Sequence, residues 1–202
     1  MRWLPYGPDA ALLECDSLDQ MSAARAVVAD ARPDGVVELV PGARSLLVAT
    51  SPGSGALAAV RALVDEADLT HPPTGNAREI VIDVRYDGAD LDDIASTAGV
   101  SVDEVVELHT GAVYTVAFTG FAPGFGYLTG LPEPLRQSRL ENPRTSVPAG
   151  SVGVAGEFTG VYPRSSPGGW RLLGHTDTVL FDPRADRPAL LAPGDAVRFR
   201  SR

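Results

Sequence analysis

The chain has 202 residues, 44% of them hydrophobic, and a net charge of −9, which describes one large or two small folded domains and excludes a disordered chain. All 17 basic residues are arginine, so Schiff-base chemistry, a lysine general base and a P-loop lysine are excluded, and the acidity disfavours bulk nucleic-acid binding. Cys15 stands alone and no apolar run approaches the ~20 residues of a membrane span, so no disulfide, cysteine metal site or membrane anchor is expected.

The opening MRWLPYGPDA lacks the apolar stretch of a signal peptide, and the cytoplasm is the expected compartment. Apolar stretches at Arg2–Pro5 and Ala10–Cys15 flank the turn Gly7-Pro8-Asp9 and predict two strands. Ser17 or Asp19 caps a predicted helix in which Leu18, Met21, Arg25 and Val28 recur at helical spacing, and Pro33-Asp34-Gly35 ends it. A hairpin follows, Val36–Val40 and Ser45–Thr50, joined by Pro41-Gly42-Ala43-Arg44. Ser51-Pro52-Gly53-Ser54 opens a second helix with Leu57, Val60 and Val64 on one face. The order ββαββα makes residues 1–77 a two-layer α/β domain whose helices cover one sheet face, with THPPTGNA at 70–77 as linker.

A second domain is expected over 78–202. Arg78–Tyr86 alternates, with Ile80, Ile82, Val84 and Tyr86 on one face. Two short helices near 90–110 follow, the second capped by Ser101. They superficially resemble a DNA-reading helix-turn-helix, but Asp103, Glu104 and Glu107 stand where a phosphate backbone needs cations, so a helical insertion packed on a sheet is the reading. His109 falls on its apolar stripe, as a core or boundary histidine does. Ala112–Phe118, Val152–Ala155, Val179–Phe181 and Ala196–Arg200 read as strands between Gly/Pro turns, which indicates an antiparallel β-barrel and an α+β fold overall.

Between Gly120 and His175 lie 11 of the 21 glycines and 7 of the 17 prolines. The segment carries a net +2 while residues 1–119 carry −12, and it is expected to line the barrel mouth as the wall of a site for a small anion. Arginines that merely solubilise a loop are the alternative. Arg144, on a backbone stiffened by Pro143 and Pro148, can meet a carboxylate with a bidentate fork. Ser151, Ser165 and Ser166 supply hydroxyls, and Phe121, Phe125, Tyr127, Tyr162 and Trp170 form either an apolar wall or a plug in the barrel core. His175 is a candidate acid or base, or a plain hydrogen-bond donor. His71, His109 and His175 lack zinc-site spacing, no G-x-S-x-G elbow occurs, and Gly124-Phe125-Gly126 lacks a Rossmann continuation, so no metal site is read and no nucleophile is assigned.

The run GFAPGFGYLTGLP…PRTSVPAGSVGVAGEFTGVYPRSSPGGWRLLGHTDTVLFDP, with LPYGPDAALLE, VVELVPGARSLLV and YDGADLDDIASTAGVSVDEVVELH in order before it, resembles one family. That family is described as allophanate hydrolase subunit 1, as the KipI-type inhibitor of a sporulation histidine kinase, and as the B-type component of 5-oxoprolinase. The resemblance implies an N-terminal α/β domain and a C-terminal cyclophilin-like barrel. It further implies a component that works with a carboxylase-like subunit 2 (the C-type component of 5-oxoprolinase) and with a lactam-utilisation-type A component. Together these open 5-oxoproline to L-glutamate with ATP. Inhibition of a histidine kinase is the second implied activity and allophanate hydrolysis the third. Two positions depart from the family pattern: Phe158 stands where Gln is common and His175 where Arg is common.

Overall fold

Alternation in the first fifty residues puts every second side chain under two helices. β1 (Arg2–Pro5), β2 (Ala10–Glu14), β3 (Val36–Pro41) and β4 (Ser45–Thr50) form an antiparallel sheet in the order β1-β2-β4-β3 in the computed structural model, which describes residues 1–71 and 78–202. Of the expected linker, residues 72–77 lie outside the described residues. The Ser17 side chain accepts from the Gln20 amide and starts α1 (Leu18–Ala31). α2 (Ala56–Glu66) follows β4. Leu13, Met21, Val28, Leu46, Val48, Val60 and Val64 are buried together between helices and sheet, which is the expected ββαββα unit. Arg25 sits in the apolar stripe of α1, and burial pulls its pKa below the ordinary guanidinium value.

The chain separates into two compact units, Met1–Gly75 and Asn76–Arg202. The second contains β5 (Glu79–Val84), α3 (Leu91–Ala98), α4 (Val102–Gly111), β6 (Tyr114–Thr119), β7 (Gly126–Thr129), β8 (Arg144–Val147), β9 (Ser151–Ala155), β10 (Phe158–Val161), β11 (Ser166–Gly168), β12 (Arg171–His175) and β13 (Ala196–Ser201). Seven strands form one sheet in the order β12-β9-β10-β7-β6-β13-β5. Its two ends meet: the Arg85 amide donates to the His175 carbonyl at 2.8 Å and the His175 amide returns to the Arg85 carbonyl at 2.9 Å, closing the barrel. One seam departs from the antiparallel expectation, since β5 and β13 run parallel in unbroken register from Glu79–Ala196 to Val84–Ser201. The long connection between them carries all the intervening strands, and only such a crossover permits parallel pairing.

Every barrel strand contributes inward side chains to one core, among them Ile82, Val84, Tyr114, Val116, Leu128, Val154, Val161, Leu173, Val197 and Phe199. Ser101 and Glu104 form a capping box at the start of α4, which packs on β13 while α3 packs on β12. His109 is fully buried in this core. Thr159 Oγ1 donates to the Gly153 carbonyl (3.1 Å), so it accepts from His109 Nε2 (3.0 Å), which leaves Nδ1 to accept from the Tyr86 hydroxyl (2.7 Å). Burial without a counter-charge holds His109 neutral, its pKa lowered to about 3.

Two expectations need correction. Val179–Phe181 is not a strand; Phe181 makes only an isolated bridge to Ala189. The Gly120–His175 segment, read as a loop around the mouth with one strand in it, holds β7 to β12. Those strands are three to five residues long and all but β8 carry glycine where a strand pattern wants a side chain, so local propensity does not reveal them.

Candidate functional site

Alternation along β9, β10 and β12 gives the barrel wall two faces. Val152, Val154, Val161 and Leu173 point into the main core, while Ala155, Tyr162, Trp170 and Leu172 join Phe125, Ala122 and Val147 in a separate cluster on the other face. The aromatic residues thus neither plug the barrel interior nor rim its mouth: they cover the outside of one wall, beneath the two-stranded ribbon β8–β11. Gly153 and Gly160 face each other across β9 and β10 and form the floor. A Cβ on Gly160 would stand 3.2 Å from Trp170 Cζ3 and 3.3 Å from Phe125 Cζ, and one on Gly153 would stand 3.3 Å from Trp170 Cβ. Glycine therefore admits a close approach here, as its density suggested, but what approaches is the protein's own indole.

Phe125, Tyr162 and Trp170 are buried and meet edge to face, Phe125 5.3 Å from Trp170 and 5.5 Å from Tyr162 between ring centroids. Tyr127 stacks on Phe118 at 4.3 Å and meets Phe158 at 5.7 Å, so Phe158 extends the cluster. Phe121 differs from the others. It is 58% exposed and holds φ +65°, a left-handed conformation that is costly for a bulky residue, while its ring leans edge-on toward Phe125 and Tyr162. Strain retained in an exposed aromatic marks this turn as the part of the cluster that faces outward.

Polar groups border the same cluster. Arg144, on β8, meets an internal carboxylate with one arm of its fork only: Nη2 lies 2.7 Å from Asp90 Oδ1, and Nη1 reaches the Trp170 carbonyl at 3.4 Å. Asp90 is buried at the start of α3, and its other oxygen accepts from the Leu172 amide at 2.7 Å. The trio ties ribbon, helix and barrel wall together. Burial raises the Tyr162 pKa, and the nearby Arg139 and Arg144 oppose that shift. Arg139 has no carboxylate partner among the described residues. Ser165 is exposed and shares a 2.9 Å hydrogen bond with Ser146, Ser166 is buried, and Pro148 is exposed in the turn that Gly150 completes at φ +79°.

Ser151 and His175 lie apart from this group. They are register partners on β9 and β12, with Ser151 buried and His175 partly exposed. Trp170 and His175 are five residues apart along an extended segment, about 16 Å at ~3.3 Å per residue. His175 Nδ1 is 2.8 Å from Asp87 Oδ1, and the histidine lines a small nook of about 10 Å³ with Asp83, Arg85, Thr176, Asp177 and Arg202. The candidates thus form two groups, an aromatic and arginine face at one end of β12 and a charged nook at the other. Asp87, Asp90 and Arg139 belong to them and were not singled out from the sequence, where nothing local couples Asp90 to Arg144 or Asp87 to His175.

A closed barrel with an outer aromatic wall, following a separate ββαββα unit, defines a two-unit α+β protein of the cyclophilin-like barrel class. The chain belongs to the carboxyltransferase domain, subdomain C and D family, whose model matches residues 1–191. It is 48% identical over 171 residues to the 5-oxoprolinase B component of Escherichia coli O157:H7, an alignment that covers 81% of this chain and 77% of that protein. Among solved structures, TTHA0988 superposes with TM-score 0.82 at 34% identity; the match covers 96% of this chain but 40% of that longer one. The K. lactis urea amidolyase shares the fold at TM-score 0.72 and 20% identity, over 98% of this chain and 14% of the amidolyase. Among the described residues no helix is long and apolar enough to cross a membrane.

Proposed function

We propose that this chain is the B-type component of an ATP-dependent 5-oxoprolinase. It opens 5-oxoproline to L-glutamate together with a carboxylase-like C-type component and a lactam-utilisation-type A component. The observation that carries this reading is the 48% identity to a protein named as the 5-oxoprolinase B component, set against 20% to the urea amidolyase. The geometry supports it. Arg139 and the exposed Ser146–Ser165 pair offer a cation and hydroxyl groups to the carboxylate of a small ligand, Arg144 is held beside them by Asp90, and the strained Phe121 ring offers an apolar contact for its ring carbons. ATP, as co-substrate of the complex, supplies the free energy for opening a lactam. This chain's contribution is to bind and orient the anion and to steady negative charge as it develops.

One observation favours a second reading, the kinase inhibitor. Phe121, Val179 and Phe181 are exposed, at 58%, 68% and 36%, the kind of apolar surface a docking protein needs. A single experiment separates the readings. The chain is co-expressed with the two partner proteins, and ATP turnover is followed with 5-oxoproline, with allophanate and with neither. Turnover that requires 5-oxoproline and releases glutamate, and that falls with Arg139→Met, is expected. A complex indifferent to 5-oxoproline, or a chain that stays alone and blocks histidine-kinase phosphotransfer, overturns the proposal.

A further inference from the structure

The helix-covered sheet of the first unit has a second face. Leu4 pairs with Leu12, Leu12 with Leu47, and Leu47 with Val40, so one unbroken aliphatic row crosses all four strands. Alternation turns this row away from Leu13, Leu46 and Val48, which lie under the helices, and none of the four residues belongs to that core or packs against it. Ala10 and Ala49 pair in the next row. Leu4, Leu12 and Leu47 remain partly exposed and Val40 is 40% exposed. Single exposed aliphatic residues are ordinary on a protein surface, whereas a contiguous row across a whole sheet marks an interaction surface.

Charge borders the row asymmetrically. At one end of the strands stand the exposed Arg2 and Arg44, with Glu14 paired to Arg2 at 2.9 Å. Here a groove of about 450 Å³ runs along Leu12, Glu14, Ala43, Arg44 and Ser45. At the other end stand Asp9, in the β1–β2 turn, and the exposed Glu38, which pairs by register with Ala49. A partner of one charge sign would match one margin and be repelled by the other. A fitting partner carries an aliphatic strip with the same two margins in reversed order.

We propose that the partner is a second copy of this chain, joined in an isologous dimer through the open sheet face. A two-fold axis along the Leu4–Leu12–Leu47–Val40 row stacks that row on its own copy, at the ~10 Å spacing of face-to-face sheets. The same operation reverses the strand ends. It therefore brings Arg44 opposite Glu38 of the second copy and Arg2 opposite its Asp9, giving an apolar centre with a charged rim.

Sedimentation equilibrium of the full chain tests this. The wild type is expected as a dimer, and Leu47→Arg as a monomer whose circular dichroism matches the parent, since the side chain lies outside the core, and whose thermal midpoint no longer rises with protein concentration. Glu38→Arg or Arg44→Glu alone weakens dimerisation about tenfold through like-charge contacts, and the two together restore it. Restoration is the readout a merely structural role would not give. A wild-type chain that stays monomeric at every concentration, a dimer indifferent to Leu47→Arg, or a charge swap without recovery overturns the proposal.

Discussion

His109 shows how one buried polar side chain constrains the second unit. It donates to Thr159 and accepts from Tyr86, and its ring stacks on Phe199 at 4.4 Å, so it is satisfied only while neutral. Its folded pKa is depressed to about 3 from an ordinary 6.5. Below pH about 6.5 the unfolded chain therefore binds a proton that the folded chain refuses, and stability falls as pH drops from there toward 3. His109→Phe should lose about 1–3 kcal/mol near neutrality, because the Tyr86 hydroxyl is left without its acceptor. It should also flatten the stability–pH slope between those values, as urea titrations across that range measure. That His109 is a core residue was legible from its place on the α4 stripe. Its partners were not, because Tyr86 and Thr159 lie 23 and 50 residues away along the chain.

The wall made by β9 and β10 sets the consequence of its glycines. Gly160→Val would bring a Cβ to 2.8 Å from the Gly126 carbonyl, which is backbone and cannot step aside, besides pressing on Trp170 and Phe125. A destabilisation of about 1–3 kcal/mol is expected, with loss of the near-ultraviolet signal of Trp170. Gly111→Ala is the contrast: it ends α4 with open space around its Cβ and no positive φ, so it should be neutral or mildly stabilising. Chemical denaturation of both variants checks the pair. Elements with strong local signatures are legible in the sequence, among them α1 with its Ser17 cap, the Val36–Thr50 hairpin and the alternation of β5. The short strands β7, β10, β11 and β12 carry no such signature, since their pairing and the aromatic cover over Gly153 and Gly160 arise between segments rather than within one.

At the scale of the molecule, each unit has its own core and one of the two tryptophans, Trp3 in the first and Trp170 in the second. Trp3 lies under the Arg61 guanidinium, 5.6 Å from the ring centroid, and Trp170 lies in the aromatic wall. Trp170→Phe and Trp3→Phe therefore leave fluorescence reporters of the first and second unit respectively. Urea unfolding of the two variants should give midpoints that do not coincide, and coincident curves would show one cooperative transition. Composition and periodicity were enough for the α+β class, the ββαββα order and the helical insertion, because hydrophobic alternation and caps are local properties of consecutive residues. The barrel's closure through Arg85 and His175, its parallel seam, the Asp90–Arg144 and Asp87–His175 pairs and the outward place of the aromatic wall came only with the folded chain. Each joins residues or segments far apart in sequence, and such a contact depends on how all seven strands close at once, which no window of neighbouring residues records.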